Sequence, residues 1–173
     1  MKLRPPSPSD APRILAWMEN PDISKHFRFQ EAPTNLQAVL HFIKTANTDT
    51  SCHYAITDDA DLYMGTISLK HIDYENKNAE YAIALHMDAI GKEYARQATD
   101  RVLTIAFHEL GLHRIYLNVL TTNTRAIRFY EKYGFIFEGE TRDSLMICGE
   151  FKSLKWYRIL ASEYDKNHKP QFE

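Results

Sequence analysis

The stretch AEYAIALHMDAIGKEYARQA, residues 79–98, passes from a strand pattern to a helix pattern within one short turn. Its first half alternates, with Tyr81 and Leu85 on one face and Glu80 among small residues on the other. From residue 91 the apolar residues recur at three- and four-residue steps, which is typical of an amphipathic helix. The pattern predicts a strand over 79–86 and a helix over 91–110.

The predicted helix start is a candidate site for an anionic ligand. The first N–H groups of a helix lack partners and lie at the positive end of its dipole, so they suit a phosphate or pyrophosphate. Lys92 and Arg96 add positive charge close to this end. An ordinary structural crossover fits the same pattern. The motif alone therefore does not distinguish an anion-binding helix start from a simple strand-to-helix connection.

The rest of the chain predicts a single mixed α/β or α+β domain over residues 1–173. Ser9 or Asp10 is the expected cap of the first helix and Thr34 that of the second. Outside residues 79–110 the patterns predict helices over 11–19, 35–45 and 123–133, and strands over 3–5, 51–57, 62–72, 115–120, 135–138, 144–147 and 154–160.

Composition and charge narrow the function classes. The formal net charge of −2 argues against a protein that coats nucleic acid, which usually needs a basic face. No signal peptide and no run of 18 apolar residues is present, so we expect a cytoplasmic protein without a membrane span. Cys52 and Cys148 lie in apolar stretches and are expected to be reduced, mostly buried thiols. No metal is expected.

A second segment carries a family resemblance. Residues 86–98, HMDAIGKEYARQA, and residues 117–140, LNVLTTNTRAIRFYEKYGFIFEGE, resemble the two signature segments of the GNAT N-acetyltransferases. The chain is most similar to the branch with the ribosomal-protein-alanine acetyltransferases, which its opening (3–23) and closing (149–164) segments also resemble. The resemblance implies a mixed, mostly antiparallel sheet with a splayed strand pair and about four flanking helices.

The same resemblance implies acetyl-coenzyme A as cosubstrate. Its pantetheine arm would lie between the strand over 79–86 and the strand over 113–120, and its pyrophosphate would lie at the start of the following helix. Asn123 is expected to cap a helix and to contact the arm, while Arg128 either reaches the coenzyme or is solvated. The implied coenzyme-binding residues are Ile83, Leu85, Met87, Ile90, Gly91, Lys92, Glu93, Tyr94, Ala95, Arg96, Asn123, Arg128 and Tyr130.

The coenzyme loop departs from the family pattern at two positions. The family has arginine or glutamine where this chain has Ile90, and glycine where it has Glu93. The small residue at the end of the pattern is kept as Ala95. A carboxylate close to a pyrophosphate opposes binding, so we expect Glu93 to weaken coenzyme affinity unless it faces solvent.

The resemblance also implies the catalytic residues of a direct transfer to a primary amine. Tyr130 would donate a proton to the leaving thiolate, and the N–H of Leu85 would meet the developing oxyanion. Glu80 is the candidate base, since an amine with a pKa of about 8 to 10 must lose a proton before it attacks. His86 competes for this role, whereas His71 and His113 are expected to be structural.

Two other function classes stay open. A binding or regulatory module with this fold and impaired catalysis is one, and a thiol enzyme that uses Cys52 or Cys148 is the other. The candidate acceptors are a protein N-terminus, an amino sugar and a small amine, and a homodimer is compatible with the sequence. Residues around 22–34 and 142–155 are expected to shape the acceptor pocket. The polar and aromatic candidates there are His26, Phe27, Arg28, Phe29, Arg142, Asp143, Glu150, Phe151 and Lys152.

Overall fold

A computed structural model describes residues 1–21 and 35–167. They form one seven-stranded sheet with helices on both faces. The strands are β1 (Lys2–Arg4), β2 (Cys52–Thr57), β3 (Tyr63–Asp73), β4 (Asn78–Leu85), β5 (Arg114–Leu120), β6 (Ile136–Ile147) and β7 (Glu150–Leu160). The helices in these ranges are α1 (Ala11–Glu19), α2 (Leu36–Thr45), α3 (Tyr94–Thr104), α4 (Thr124–Tyr133) and α5 (Ala161–Asn167).

The sheet has the order β1-β2-β3-β4-β5-β7-β6, and only the β4–β5 pair is parallel. These two strands pair over three residues, 78–80 with 114–116, and then separate. Beyond that point β4 stays with β3, and β5 stays with β7 along its whole length. The result is a gap in the middle of the sheet, which confirms the predicted splayed pair and the predicted fold class.

Apolar side chains cover both faces of the sheet. On one face Tyr81, Leu117 and Tyr157 pack with Val102 of α3 in the main core. On the other face, α1 and α2 form a smaller cluster over β2 and β3 that includes Trp17. The alternation of side chains along β4 therefore places Tyr81 in the main core and Glu80 on the opposite face.

The structure confirms the predicted helix caps only in part. The 11–19 helix is present as predicted, but a 3-10 turn (Pro8–Asp10) with Ser7 as its cap precedes it. Asp10 occupies the predicted N-cap position of α1, but its side chain makes no cap bond. Its carboxylate accepts the Ser7 N–H at 2.8 Å and pairs with Arg4 at 2.8 Å. Asn35 caps α2 by accepting the Ala38 N–H at 2.9 Å, and Thr34 lies outside the described residues.

Two further elements differ from their predictions. The predicted 91–110 helix begins at Tyr94, after a 3-10 turn (Met87–Ala89), and ends as a π-helical turn (Ile105–Glu109). The predicted strands over 135–138 and 144–147 are one strand, β6, whose register against β7 shifts between Thr141 and Leu145. Within residues 1–21 and 35–167, no helix has the length and apolar character needed to cross a membrane.

Candidate active site

The open edge of β4 faces the gap in the sheet. The His86 N–H donates to the Met64 carbonyl of β3 at 2.8 Å, and pairs in an antiparallel ladder alternate between bonded and non-bonded. Leu85, opposite Gly65, is therefore a non-bonded position, and so is Ile83. Their N–H and C=O groups point away from β3 into the gap, which makes the predicted Leu85 donor geometrically available.

A cleft of about 1090 Å³ occupies this gap and reaches both faces of the sheet. On the main-core side it is lined by the edge of β4 and by α4. On the opposite side it is lined by polar groups of β3, β4 and β5 and by Trp156 of β7. A ligand on one face can therefore meet a ligand on the other face through the divergence of β4 and β5.

Tyr130 lies on the main-core wall of the cleft and is 7% exposed. Its ring packs edge-on against Tyr81 at 6.0 Å and against Phe135 at 5.7 Å between ring centroids. Within residues 1–21 and 35–167, no group hydrogen-bonds the Tyr130 hydroxyl, whereas the neighbouring Tyr157 hydroxyl donates to Glu131 at 2.8 Å. Burial raises the pKa of Tyr130, so its hydroxyl stays protonated and can act as a donor.

The start of α3 supplies unpaired backbone donors beside the cleft. The first helical bond of α3 joins the Gln97 N–H to the Glu93 carbonyl at 3.0 Å, so the N–H groups of residues 94–96 have no partner within the helix. The N–H groups of Ile90 and Lys92 instead donate to the carbonyls of Met87 and Ala89. The helix start therefore offers more free backbone N–H groups than the preceding part of the predicted coenzyme loop. Ile90, Gly91, Lys92 and Ala95 line the cleft.

A smaller cavity of about 250 Å³ adjoins the helix start. Lys92, Arg96 and Lys132 give it a basic lining, and the exposed Glu93 also contributes to it.

On α4, Asn123 caps the helix by accepting the Ala126 N–H at 3.2 Å and lines the large cleft. The large cleft is lined by Arg125, which sequence reasoning missed. Arg128 is exposed and lies outside both cavities.

Glu80 lies on the opposite wall of the cleft, with 17% of its side chain exposed. Its Oε1 atom accepts from Lys70 Nζ at 2.8 Å, and Asn118 Nδ2 lies 3.5 Å from the same oxygen. His71 Nε2 lies 3.7 Å from Oε2. Lys70 and Asn118 were not among the predicted site residues. They reach Glu80 as neighbours across the strands, because Lys70 pairs with Glu80 directly in the β3–β4 register.

The other candidate bases and nucleophiles are engaged elsewhere. His86 Nδ1 accepts the Asp88 N–H at 3.2 Å and lies 3.1 Å from an Arg13 nitrogen, and burial followed by Arg13 lowers its pKa. His86 thus caps the 87–89 turn. Burial raises the pKa of the Cys52 thiol, and Cys148 is exposed, which corrects the prediction that both are mostly buried. His86, His113 and both cysteines lie outside the cleft lining.

The predicted acceptor wall over 142–155 contributes other residues than expected. Leu145, Ile147, Leu154 and Trp156 line the cleft from β6 and β7. The polar and aromatic residues predicted there, Arg142, Asp143, Glu150, Phe151 and Lys152, are not part of the lining. The predicted residues His26, Phe27, Arg28 and Phe29 lie outside the described ranges.

Comparison with known proteins decides the family. The model of the acetyltransferase (GNAT) domain matches residues 1–136. The chain belongs to the GNAT acetyltransferases. This confirms the family that the two signature segments of the sequence predicted.

Named relatives of this GNAT domain include two bacterial acetyltransferases. A spermidine N(1)-acetyltransferase of Vibrio cholerae is 33% identical over 111 residues, which cover 64% of each chain. The putative ribosomal N-acetyltransferase YdaF of Bacillus subtilis is 28% identical over 167 residues, which cover 91% of this chain and 90% of the relative. A crystal structure of the Vibrio cholerae spermidine N-acetyltransferase with CoA and spermine has a TM-score of 0.84 at 28% identity, covering 94% of this chain and 96% of that one.

Gly65 fixes the position of the β4 edge in this GNAT domain. A Cβ atom at residue 65 would lie 2.5 Å from the Ala84 carbonyl oxygen and 3.1 Å from the Leu85 Cα. Because these are backbone atoms, Gly65→Ala must displace β4, and we expect a loss of about 1–3 kcal/mol in the free energy of unfolding. Gly139→Ala is the control, since no atom lies within 4 Å of its added Cβ. Equal denaturant midpoints for the two variants would contradict this prediction.

Proposed function

We propose that this chain is an acetyl-CoA-dependent N-acetyltransferase that moves an acetyl group directly to a primary amine. One observation carries the proposal. The cleft through the splayed β4–β5 pair is lined on one side by the helix start and Tyr130 and on the other side by Glu80. A donor for a leaving group and a carboxylate for an incoming amine therefore face the same gap.

The residues of the main-core side fit an acyl-CoA. The helix start offers N–H groups of residues 94–96, and Lys92, Arg96 and Lys132 offer positive charge for phosphate groups. The backbone N–H and C=O groups of Ile83 and Leu85 that face the gap can form strand-like hydrogen bonds with an amide-containing arm. The bound thioester would supply an activated acetyl group.

Three groups would carry the chemistry of the transfer. Glu80 would accept the proton of the amine, directly or through water. The Leu85 N–H would stabilise the charge that develops on the acyl oxygen, and the Tyr130 hydroxyl would donate to the departing sulfur. No nucleophile of the protein is needed, which supports direct transfer within a ternary complex.

The test measures coenzyme binding and turnover separately. Calorimetry is expected to show acetyl-CoA binding, with a rise in melting temperature because the ligand favours the folded state. Release of free CoA thiol in the presence of a panel of primary amines then reports transfer. Binding without any amine-dependent release would favour the impaired binding module, and the absence of binding at millimolar acetyl-CoA would overturn the assignment.

Removal of the Glu93 charge is expected to tighten coenzyme binding. Its carboxylate precedes α3, makes no side-chain cap and lines the basic cavity with Lys92 and Arg96. Because the carboxylate competes with an anionic ligand for positive charge, we expect Glu93→Gln to lower the Kd for acetyl-CoA about 2- to 5-fold. Glu75→Gln, in an exposed turn, is the control. An unchanged or higher Kd in the Glu93 variant would show that the carboxylate does not oppose the ligand.

A further inference from the structure

The polar wall around Glu80 is where the proposed function places a cationic amine, and it contains both a lysine and a carboxylate. We call this wall the acceptor compartment and define it by Lys70, His71, Glu80, Asn118 and Trp156, which line the cleft. Among the described residues that line the cleft, Glu80 is the only carboxylate. Glu80 is already paired with Lys70 at 2.8 Å, so the compartment offers no net negative charge.

Lys70 is held in place next to the expected position of the acceptor amine. The register of β3 against β4 places Lys70 directly across from Glu80, and only 32% of the Lys70 side chain is exposed. An ammonium group that approaches the second oxygen of Glu80 lies about 4–6 Å from Lys70, where a like charge disfavours the protonated form. Lys70 therefore helps a single amine to lose its proton and repels acceptors with further positive charges.

Within the acceptor compartment, the formal charges of Lys70 and Glu80 cancel. Binding of one ammonium group to the acceptor compartment leaves one excess positive charge. Binding of a polyamine leaves several. An acceptor with an anionic group restores neutrality, and Lys70 can pair with that group when the amine takes its place at Glu80.

We propose that Lys70 selects acceptors that carry an oxyanion, a carboxylate or a phosphate, close to the reactive amine, and that polyamines are poor acceptors. This inference rests on the proposed acetyltransferase function. It separates this chain from the relatives that are named for spermidine, although the fold is shared.

The experiment compares matched acceptor pairs at saturating acetyl-CoA. L-phenylalanine against phenethylamine tests a carboxylate, O-phosphoethanolamine against ethanolamine tests a phosphate, and spermidine tests the polyamine class. In at least one pair we expect kcat/KM to be about 10- to 100-fold higher for the oxyanion-bearing member, the usual worth of a hydrogen bond between charged groups. Spermidine is expected to be slower than that member.

Variants of Lys70 assign the preference to its charge. Lys70→Met is expected to abolish the preference and to raise the relative rate with spermidine, while Lys70→Arg keeps the preference. Lys166→Met, at an exposed lysine of α5 outside the cleft, is the control for net charge and should leave the parent ratios unchanged.

The outcomes separate this inference from the function on which it rests. A parent enzyme that prefers spermidine or the uncharged members overturns the role of Lys70 and leaves the acetyltransferase function standing. The same conclusion follows if Lys70→Met retains the preference, or if acetyl-CoA binds and no oxyanion-bearing amine reacts. A failure to bind acetyl-CoA in calorimetry overturns the proposed function itself.

Discussion

Tyr130→Phe is expected to lower kcat by roughly 10²- to 10⁴-fold, the range that proton donation usually contributes. The substitution keeps the ring and its packing against Tyr81 and Phe135, and no described group loses a hydrogen bond. We therefore expect little change in stability and a nearly unchanged Kd for acetyl-CoA. The measurement is steady-state release of free CoA with an accepted amine, alongside calorimetry.

A second tyrosine provides the control for this variant. Tyr157 is also fully buried next to Tyr130, but its hydroxyl donates to Glu131 and lies outside the cleft. Tyr157→Phe is expected to cost about 1 kcal/mol of stability through the lost hydrogen bond and to leave kcat unchanged. A parent-like kcat for Tyr130→Phe would reduce Tyr130 to a packing residue.

Local sequence signals were sufficient for most elements of the fold. The helix over 11–19 follows from the predicted cap at Ser9 or Asp10, and α4 follows from its cap Asn123 and from Gly134, whose φ of 115° ends the helix. The start of α3 was predicted three residues early, at residue 91 rather than Tyr94. The reason is that Gly91 has a φ of 77°, outside the helical region, and follows a separate 3-10 turn that His86 caps. Arg13 of α1 contacts the His86 ring, so this turn depends on residues distant in the sequence.

The candidate site was only partly predictable, because some of its contacts join residues that are distant in the sequence. Glu80 and Tyr130 were found because a strand pattern and a family motif mark them, and the structure places both on one cleft. Lys70 and Asn118 lie near Glu80 only through the register of neighbouring strands, which the sequence does not specify. On α4, Arg125 rather than Arg128 lines the cleft, and Arg128 is exposed.

The pH dependence of Glu80→Gln tests whether Glu80 is the base. At neutral pH most of an amine with a pKa of about 8 to 10 is protonated, and without a base the rate follows the small neutral fraction. The parent enzyme can use protonated amine because the Glu80 carboxylate accepts the proton. We therefore expect the variant to lose roughly 10²- to 10⁴-fold in rate at neutral pH. The two profiles should converge above the pKa of the amine.

Glu80→Gln removes the ion-pair partner of Lys70 as well as the candidate base. A matched control must therefore show the effect of losing an ion pair alone. Glu138 on β6 is a strand carboxylate paired with Arg114 and lies outside the cleft, so Glu138→Gln reproduces the structural change without the chemistry. Its pH–rate profile should match that of the parent. If the Glu80→Gln profile is displaced from the parent profile by the same factor at every pH, Glu80 stabilises or positions the acceptor compartment and another group removes the proton.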